Sequence, residues 1–354
     1  MFKIFTVVGA RPQFIKAAVV SRAFVKYRSD VQEILVHTGQ HYDANMSSVF
    51  FDELNIPHPK YNLNIGGGTH GQNTGRMIEK LEELMQQEKP DWVLVYGDTD
   101  STLAGALAAA KLHIPVAHIE AGLRSFNRDM PEEINRVLTD HVSALLFAPT
   151  KLAHQNLRME GISESKIHTV GDVMYDAALY YRERARKPKW VDDFGIISND
   201  FILCTIHRAE NTENYERMQG ILAGLANVKS QVVLPLHPRT RKTLQQMNLK
   251  LSSNVCVVDP VGYLEMVWLE SNCKVIATDS GGVQKEAYFH RKPCVTLRDE
   301  TEWVELVDYG FNVLVGADAC KITAALNNAK LVTCEHLLYG DGNSSALIAH
   351  MLKL

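Results

Sequence analysis

Acidic side chains stand at three points in the first half of the chain where an apolar run ends or a helical pattern begins. Asp98 follows the run WVLVYG, Glu120 follows PVAHI, and Glu132 comes directly after Pro131 at the start of an amphipathic stretch. Carboxylates in such positions can act as general acids and bases and can stabilise developing positive charge. Helix capping or a favourable first-turn charge would explain any one of them. Three acidic sites at or just beyond the strand ends of one sheet together favour a common acid–base site.

Basic side chains and histidines follow other apolar runs. Arg11 and Lys16 belong to GARPQFIK (residues 9–16), at the start of a predicted helix. Cations there oppose the helix dipole unless an anion is bound. His207 and His237 each follow a predicted strand, and each is followed within two residues by an arginine. Solvated or structural side chains are the alternative for each, but together these residues favour an anionic ligand.

A strand end, two glycines and a helix start coincide in TDSGGVQKEA (residues 278–287). Around Ser280, Gly281 and Gly282 the backbone could approach a ligand closely, and the helix N-terminus offers N–H groups for a diphosphate. Glu286, one turn inside the helix, could accept hydrogen bonds from ribose hydroxyls. A tight turn with an Asp–Ser cap is the alternative interpretation.

The sequence disfavours several other kinds of site. The first strand is not followed by a GxGxxG dinucleotide fingerprint, so we expect no nicotinamide cofactor there. The histidines and cysteines do not show metal-ligand spacing, and no GxSxG nucleophile elbow occurs. We therefore expect no cofactor and no metal.

Short apolar runs alternate with helical patterns along both halves, which predicts parallel sheets covered on both faces by helices. In the first half, strands are predicted over Phe2–Val8, Gln32–His37, Trp92–Tyr96, Pro115–Ile119 and Leu145–Ala148, and helices over Pro12–Lys26, Gly71–Glu88, Ser101–Leu112 and Glu132–Val142. In the second half, strands are predicted over Phe201–Thr205, Gln231–Leu236, Val255–Val258, Lys274–Ala277 and Pro293–Thr296, with helices such as Asn214–Val228 and Val283–Phe289 between them. The charged segment 182–200 is the best linker candidate, with a boundary near Gly171 as the alternative.

Bulk composition limits the classes of partner. The 354 residues are 46% hydrophobic and 22% charged, as in a globular protein, and are enough for two domains. A net charge of −4 without a long basic run disfavours nucleic acid or an anionic membrane as a partner. We find no export signal and no membrane-length apolar run, so we expect a cytoplasmic protein. The six scattered cysteines are then expected to be reduced.

The motifs together carry a resemblance to a family. Over nearly its whole length the chain resembles the non-hydrolysing UDP-N-acetylglucosamine 2-epimerases, on GARPQFIK, GDT, HIEAGLR, PEEINR, LPLH and TDSGGVQKEA. Within that family it is similar to the UDP-2,3-diacetamido-2,3-dideoxy-glucuronate 2-epimerases of surface polysaccharide (O-antigen) synthesis, on VHTGQHYDANMS, STLAGALAAAKLH, HRAENT, VVLPLHPRTR, DPVGYLEM and TEWVEL. The resemblance implies a UDP-sugar substrate and a cytoplasmic homodimer.

The resemblance also implies a fold and its division. The fold would be α/β of the glycosyltransferase-B type, with two Rossmann-like domains facing each other across a cleft that holds the ligand. We expect an N-terminal domain over residues 1–170 with the acid–base groups and a C-terminal domain over 171–340 that binds UDP. A C-terminal helix over 341–354 would pack back on the first domain.

Functional residues are implied position by position. The catalytic residues would be Asp98, Glu120, Glu132 and His207, and the substrate-binding residues Arg11, Lys16, Arg136, His237, Ser280, Gly281, Gly282 and Glu286. The N-acetylglucosamine branch has an arginine where this chain has Trp303. Of that branch's activator site this chain keeps Gln40, His41, Arg76, His207 and Arg208, but it has Tyr42, Asp43 and Ala209 at other positions. We therefore do not expect activation by a second nucleotide sugar.

The chemistry explains why such residues are needed. C2 of a 2-acetamido sugar is not next to a carbonyl, so UDP must first leave C1 to make the C2 proton removable. Anti elimination to a glycal and re-addition of UDP require proton transfers on opposite faces of C2. We expect Asp98 and Glu132 to transfer protons and Glu120 to stabilise charge. Candidates for binding a uronate carboxylate are Arg128, Arg239 and Arg241.

Other functions stay open at this stage. The chain could epimerise UDP-N-acetylglucosamine to UDP-N-acetylmannosamine, or it could be a glycosyltransferase with a UDP-sugar donor, because fold alone does not fix function. A hydrolysing epimerase would release free sugar and UDP. A nucleotide-sugar-binding regulator without catalysis is the alternative outside the enzymes.

Overall fold

The structure is a computed structural model that describes residues 1–40, 51, 54–332 and 337–352. The chain divides into two compact units. Unit 1 consists of Met1–Ala177 together with Leu337–Leu354, and unit 2 consists of Ala178–His336. Each unit is built around its own parallel sheet.

Unit 1 contains a seven-stranded parallel sheet among its described residues, in the order β3-β2-β1-β4-β5-β6-β7. The strands are β1 (Phe2–Val8), β2 (Val31–His37), β3 (Tyr61–Asn62), β4 (Trp92–Tyr96), β5 (Val116–Ile119), β6 (Leu145–Ala148) and β7 (Ile167–Thr169). The helices are α1 (Arg11–Tyr27), α2 (His70–Glu88), α3 (Asp100–Lys111), α4 (Pro131–Val142), α5 (Lys151–Met159), α6 (Val173–Arg182, which crosses into unit 2) and, from the end of the chain, α15 (Ser344–Met351).

Unit 2 contains a six-stranded parallel sheet in its described part, in the order β10-β9-β8-β11-β12-β13. The strands are β8 (Ile202–Thr205), β9 (Val232–Pro235), β10 (Val255–Val258), β11 (Val275–Thr278), β12 (Cys294–Thr296) and β13 (Asn312–Leu314). The helices are α7 (Trp190–Asp193), α8 (Ala209–Thr212), α9 (Tyr215–Ala226), α10 (Pro238–Gln246), α11 (Tyr263–Asn272), α12 (Gly281–Phe289), α13 (Val304–Asp308) and α14 (Ala319–Asn328).

The predicted α/β class is confirmed. The inner strands of both sheets are largely buried, so each appears in the sequence as a short apolar run. The strands that the apolar runs did not reveal are β3, β7 and β13, at the ends of the two sheets. Each is only two or three residues long, which is too short to show a pattern.

Both sheets change winding direction at one pair of strands. In unit 1 the change falls between β1 and β4, and in unit 2 between β8 and β11. The loops after such a pair diverge, and ligands of open α/β sheets bind there, outside the carboxyl ends of the strands. GARPQFIK follows β1, Asp98 follows β4, His207 follows β8 and TDSGG follows β11.

The segment 182–200, expected as a linker, is instead a packed part of unit 2. Within it α7 places Val191 in the core beneath β8 and β10, with Ile196 beside it. The Arg186 N–H donates to the Leu264 carbonyl at 3.1 Å. Its charged composition concealed these few apolar anchors, and the division between units falls inside α6.

The end of the chain returns to unit 1. The side chain of Asp176 holds the start of α15, accepting from Ser345 N–H at 2.7 Å and from Ser344 N–H at 3.1 Å. At the other end of α15, Arg28 donates to the Ala349 carbonyl at 3.0 Å, and α15 packs along α1.

The described cysteines are free thiols: Cys204, Cys256, Cys273, Cys294 and Cys320. None of the helices in the described ranges combines the length and the apolar character needed to cross a bilayer.

Candidate functional site

The loops after β1 and β4 in unit 1 are joined by the buried side chain of Gln13. Its Oε1 accepts hydrogen bonds from the N–H groups of Gly9 (2.8 Å) and Ala10 (3.0 Å). Its Nε2 donates to the Tyr96 carbonyl at 2.7 Å. A Cβ on Gly9 would lie 2.1 Å from Oγ of Ser101, so only glycine permits this close approach. The two loops at the switch point are therefore held in a fixed relation.

Lys16 and Glu120 form an ion pair at this edge of the sheet. Nζ of Lys16 contacts Oε2 of Glu120, and both side chains are nearly buried. Glu120 has a φ of +72°, a left-handed conformation that is uncommon outside glycine and is concentrated at functional sites. The ion pair brings together two predicted site residues.

Asp98 is bound by Arg136 of α4. Nε and Nη2 of Arg136 donate to the same oxygen, Oδ2 of Asp98, at 3.0 and 2.6 Å. The third donor, Nη1, binds Oε2 of Glu133 at 2.8 Å. Burial raises the pKa of Glu133, but hydrogen bonds from Ser125, Arg136 and Phe126 outweigh it and hold the pKa below its ordinary value. Glu133 is thus an ionised anchor that orients Arg136 toward Asp98.

A buried histidine supports the turn that carries Asp98. Nδ1 of His118 lies 2.7 Å from Oδ1 of Asp140, and Nε2 lies 2.7 Å from the Gly97 carbonyl. The imidazole is therefore held between the Asp140 carboxylate and the backbone of the turn. Burial raises the pKa of Asp140, but His118 and Arg124 reverse this and lower it. The sequence did not predict a role for His118, Asp140 or Gln13, because these buried side chains support the loops through contacts that no motif indicates.

Glu132 and Arg11 complete the predicted set in unit 1. Glu132 is exposed in the first turn of α4, and it makes no hydrogen bond or ion pair with the described residues. Arg11 is the half-buried first residue of α1. The structure therefore pairs Lys16 with Glu120 and Arg136 with Asp98, and leaves Glu132 at an accessible helix start.

In unit 2 the loops after β8 and β11 are joined by the fully buried Asp279. Its oxygens accept hydrogen bonds from the N–H groups of His207 (3.1 Å) and Arg208 (3.0 Å) and from Nδ2 of Asn211 (3.1 Å). Nδ1 of His207 lies 3.2 Å from Oδ1 of the same carboxylate. Asp279 thus fixes the backbone at His207 while the imidazole stays more than half exposed.

The predicted diphosphate turn has the geometry of an anion site. Oγ of Ser280 caps α12 by accepting from Val283 N–H at 3.4 Å. The N–H groups of Gly281 and Gly282 open the helix, where no preceding carbonyl is available to them. A Cβ on Gly281 would lie 2.0 Å from Oε1 of Glu302, whereas one on Gly282 would have only Ser280 Oγ, at 3.8 Å, nearby.

Trp303, the departure noted in the sequence, packs on this turn. Its Nε1 donates to the Gly281 carbonyl at 2.9 Å, and Nζ of Lys285 lies 4.3 Å from its ring centre. Glu302 beside it is bound by Arg298 at 2.6 Å. Burial raises the pKa of Glu302, but the hydrogen bond from Arg298, a backbone hydrogen bond and the charges of Arg298 and Arg208 together lower it. Trp303 therefore stabilises the backbone of the turn at Gly281.

Glu286, the predicted ribose ligand, is half-buried beside two further titratable groups. Glu270 of α11 and His290 at the end of α12 are buried, with 3.5 Å between Oε2 of Glu270 and Nε2 of His290. Burial first, and then Glu270, raise the pKa of Glu286 to about 8; burial likewise raises the pKa of Glu270. Burial lowers the pKa of His290 to about 4. This cluster was not found from the sequence because Glu270 is 16 residues upstream, on another helix.

The remaining predicted residues are less informative. His237 is exposed just after β9. Arg241 forms an exposed ion pair with Asp259 at 2.8 Å, and Arg128 is exposed. The side chain of Arg239, and the activator-site positions His41, Tyr42 and Asp43, lie outside the described residues. Among the described residues no cluster of three metal-ligating side chains occurs.

Known proteins resemble this chain over its whole length. A family model described as UDP-N-acetylglucosamine 2-epimerase matches residues 24–353. A UDP-2,3-diacetamido-2,3-dideoxy-D-glucuronate 2-epimerase of Pseudomonas aeruginosa is 56% identical, with 99% of each chain covered. A UDP-N-acetylglucosamine 2-epimerase of Methanocaldococcus jannaschii is 50% identical over 92% of this chain and 91% of the relative.

A solved structure gives the same result for the fold. The Methanocaldococcus jannaschii UDP-GlcNAc 2-epimerase in complex with UDP-GlcNAc and UDP matches with a TM-score of 0.83 at 47% identity, covering 99% of each chain. The fold is therefore of the glycosyltransferase-B type, and the resemblance found in the motifs is confirmed.

Proposed function

The chain belongs to the UDP-N-acetylglucosamine 2-epimerase family, and we propose that it inverts C2 of a UDP-linked 2,3-diacetamido uronate without hydrolysing it. The observation that carries the proposal is the placement of GARPQFIK, Asp98, His207 and TDSGG at the carboxyl ends of the strands at the two switch points, where open α/β sheets bind ligands. The reaction breaks the C1–O bond to UDP, forms a glycal and adds UDP back.

Unit 1 would supply the acid–base groups. Asp98 and Glu132 would be the carboxylates available for proton transfer at C2, since each has at least one carboxylate oxygen that the described cations do not bind. Glu120, held by Lys16, would stabilise positive charge that develops at C1. Arg11 would contact the anionic part of the substrate.

Unit 2 would bind UDP. The N–H groups of Gly281 and Gly282 with the Ser280 cap suit a diphosphate, and Glu286 would bind the ribose. His207 and His237 would contact the same anion, with His207 polarising the leaving phosphate. Asp279 supports this role by fixing the His207 backbone.

Which UDP-linked sugar is the substrate is the more specific part of the proposal. The relative of 56% identity is named for a diacetamido glucuronate and the relative of 50% identity for UDP-N-acetylglucosamine. We propose the uronate, with a manno epimer for surface polysaccharide as product. UDP-N-acetylglucosamine is the second candidate, supported by the Methanocaldococcus jannaschii relatives.

Incubation with each UDP-sugar alone, followed by proton NMR, tests the proposal. We expect the uronate to give its C2 epimer with UDP still attached and UDP-N-acetylglucosamine to react much more slowly. Conversion of UDP-N-acetylglucosamine alone would favour the second candidate. Release of free sugar, or no reaction until an acceptor is added, would refute a non-hydrolysing epimerase.

We further propose a cytoplasmic homodimer. On α4, Ile134 and Leu138 are separated by one helical turn, so they lie on the same face, and they are 42% and 44% exposed. They would lie in the interface between two copies. Light scattering of the purified protein is expected to give twice the chain mass.

A further inference from the structure

His70 is the first residue of α2, and its imidazole is held by a buried carboxylate. Nδ1 of His70 lies 2.8 Å from Oδ2 of Asp100, the first residue of α3. The Asp100 side chain is 6% exposed and that of His70 is 68% exposed. Nδ1 is thus held by the buried carboxylate, while Nε2 makes no hydrogen bond with the described residues. This is the arrangement in which carboxylates orient histidines for proton transfer or ligand binding.

The backbone at His70 is fixed as well. Thr69 caps α2, and Oε1 of Gln72 accepts from the Thr69 N–H at 3.2 Å. The side chain of Asn73 binds both the N–H and the carbonyl of Gly68, each at 3.1 Å. The imidazole is therefore positioned before any substrate arrives, which is the condition for efficient proton transfer.

A single side chain connects this dyad to the proposed acid–base site. Nδ2 of Asn135 donates to Oδ1 of Asp100 at 3.2 Å and to the carbonyl of Asp98 at 2.9 Å. Through these hydrogen bonds His70 is connected to the charged group of Asp100 on α3 and, beyond Asn135, to Asp98 and its partner Arg136. All belong to unit 1.

We propose that His70, oriented by Asp100, is one of the two proton-transfer groups at C2. In the elimination, a base takes the C2 proton, the C–H electrons form the C1=C2 bond, and the C1–O bond to UDP breaks. In the return step, a protonated group on the opposite face gives its proton to C2, and UDP adds to C1. His70 performs one of these transfers, and Asp98 or Glu132 performs the other.

The ion pairs of the carboxylates at the carboxyl ends of the unit 1 strands favour an imidazole as a proton-transfer group. Oε2 of Glu120 is bound by Lys16, and Oδ2 of Asp98 is bound twice by Arg136. A group that must act as base in one direction and acid in the other works best when it titrates near the working pH, as imidazole does among side chains. The proposal rests on the epimerase function.

The test compares His70→Gln and Asp100→Asn with the wild type and with His141→Gln. His141 is a half-exposed histidine in the last turn of α4, at the opposite end of that helix from Glu132. We expect His70→Gln to lower kcat about 100-fold with a smaller change in KM, and to remove one limb of the pH profile. Asp100→Asn should shift that limb, and His141→Gln should behave as the wild type.

Exchange of the C2 hydrogen with deuterated water, measured separately for each epimer, identifies the group. We expect His70→Gln to retain exchange in one epimer and lose it in the other. Unchanged kcat and pH profile, a rise in KM alone, or equal loss of exchange in both epimers with an unchanged Tm would overturn the proposal. A wild type that converts no UDP-sugar would instead refute the epimerase function.

Discussion

Individual residues at the two switch points show which parts of the site the sequence could predict. Asp98 and Glu120 were predicted because each follows an apolar run, and Glu286 because it lies one turn inside the helix that begins at the two glycines. The contacts of these residues were not predicted. Lys16 on α1 is 104 residues from Glu120, and sequence spacing carries no information on a contact between elements so far apart in the chain. His70 follows a glycine-rich loop rather than a recognisable strand, so its contact with Asp100 had no signature in the sequence.

At the scale of single residues, the buried Glu270 leads to a prediction about how the Tm depends on pH. Its pKa is raised to about 8 by burial, so its neutral form stabilises unit 2 at acidic pH. That stabilisation is lost as the pH rises from about 4.5 through about 8, where the carboxyl ionises. Glu270→Gln cannot ionise and should therefore flatten the fall in Tm, giving a Tm about 2–4 °C above the wild type at pH 8 for each kcal/mol recovered.

Thermal unfolding from pH 5 to pH 8.5 measures this effect. Glu216→Gln, an exposed position in the first turn of α9, is the control and should follow the wild-type curve. Parallel curves for Glu270→Gln and the wild type would show that Glu270 is not buried as a neutral acid.

Helices and strands explain why the site forms at these edges. In both units the buried parallel strands were predictable from their apolar runs, whereas the two- and three-residue strands β3, β7 and β13 were not, since pairing with a neighbour alone defines them. The charged segment before β8 was misread as a linker because only a few of its residues enter the core. Elements that position the site are thus the ones with the clearest sequence pattern.

The start of α12 gives a matched pair of variants. Gly281→Ala places a methyl group 2.0 Å from Oε1 of Glu302, so this carboxylate, whose Oε2 is bound by Arg298, must shift. We expect a loss of about 1–3 kcal/mol of stability and weaker UDP binding. Gly282→Ala meets no such contact and should keep the wild-type Tm.

Calorimetric titration with UDP distinguishes the two effects. If the diphosphate lies on this turn, Gly282→Ala should weaken UDP binding although its Tm is unchanged, because the added methyl group occupies the space above the helix start. Wild-type affinity in both variants would place the diphosphate elsewhere.

At the scale of the whole chain, sequence identity to relatives indicates the reaction more clearly than it indicates which sugar is the substrate. Epimerases named for a uronate and for N-acetylglucosamine match with 56% and 50% identity, so the global similarity is nearly equal for two substrates. The substrate carboxylate must therefore be recognised by a few side chains. Of the predicted candidates, Arg241 already pairs with Asp259, and this favours a search beyond the arginines named from the sequence.

Epimerisation in deuterated water tests the central claim most directly. The wild-type protein is incubated with the diacetamido uronate nucleotide, and the C2 position of the product is read by NMR and mass spectrometry. Elimination and re-addition through a glycal predict a C2 epimer that carries one deuterium at C2 and is still linked to UDP. A product that keeps its original hydrogen at C2 would contradict the mechanism.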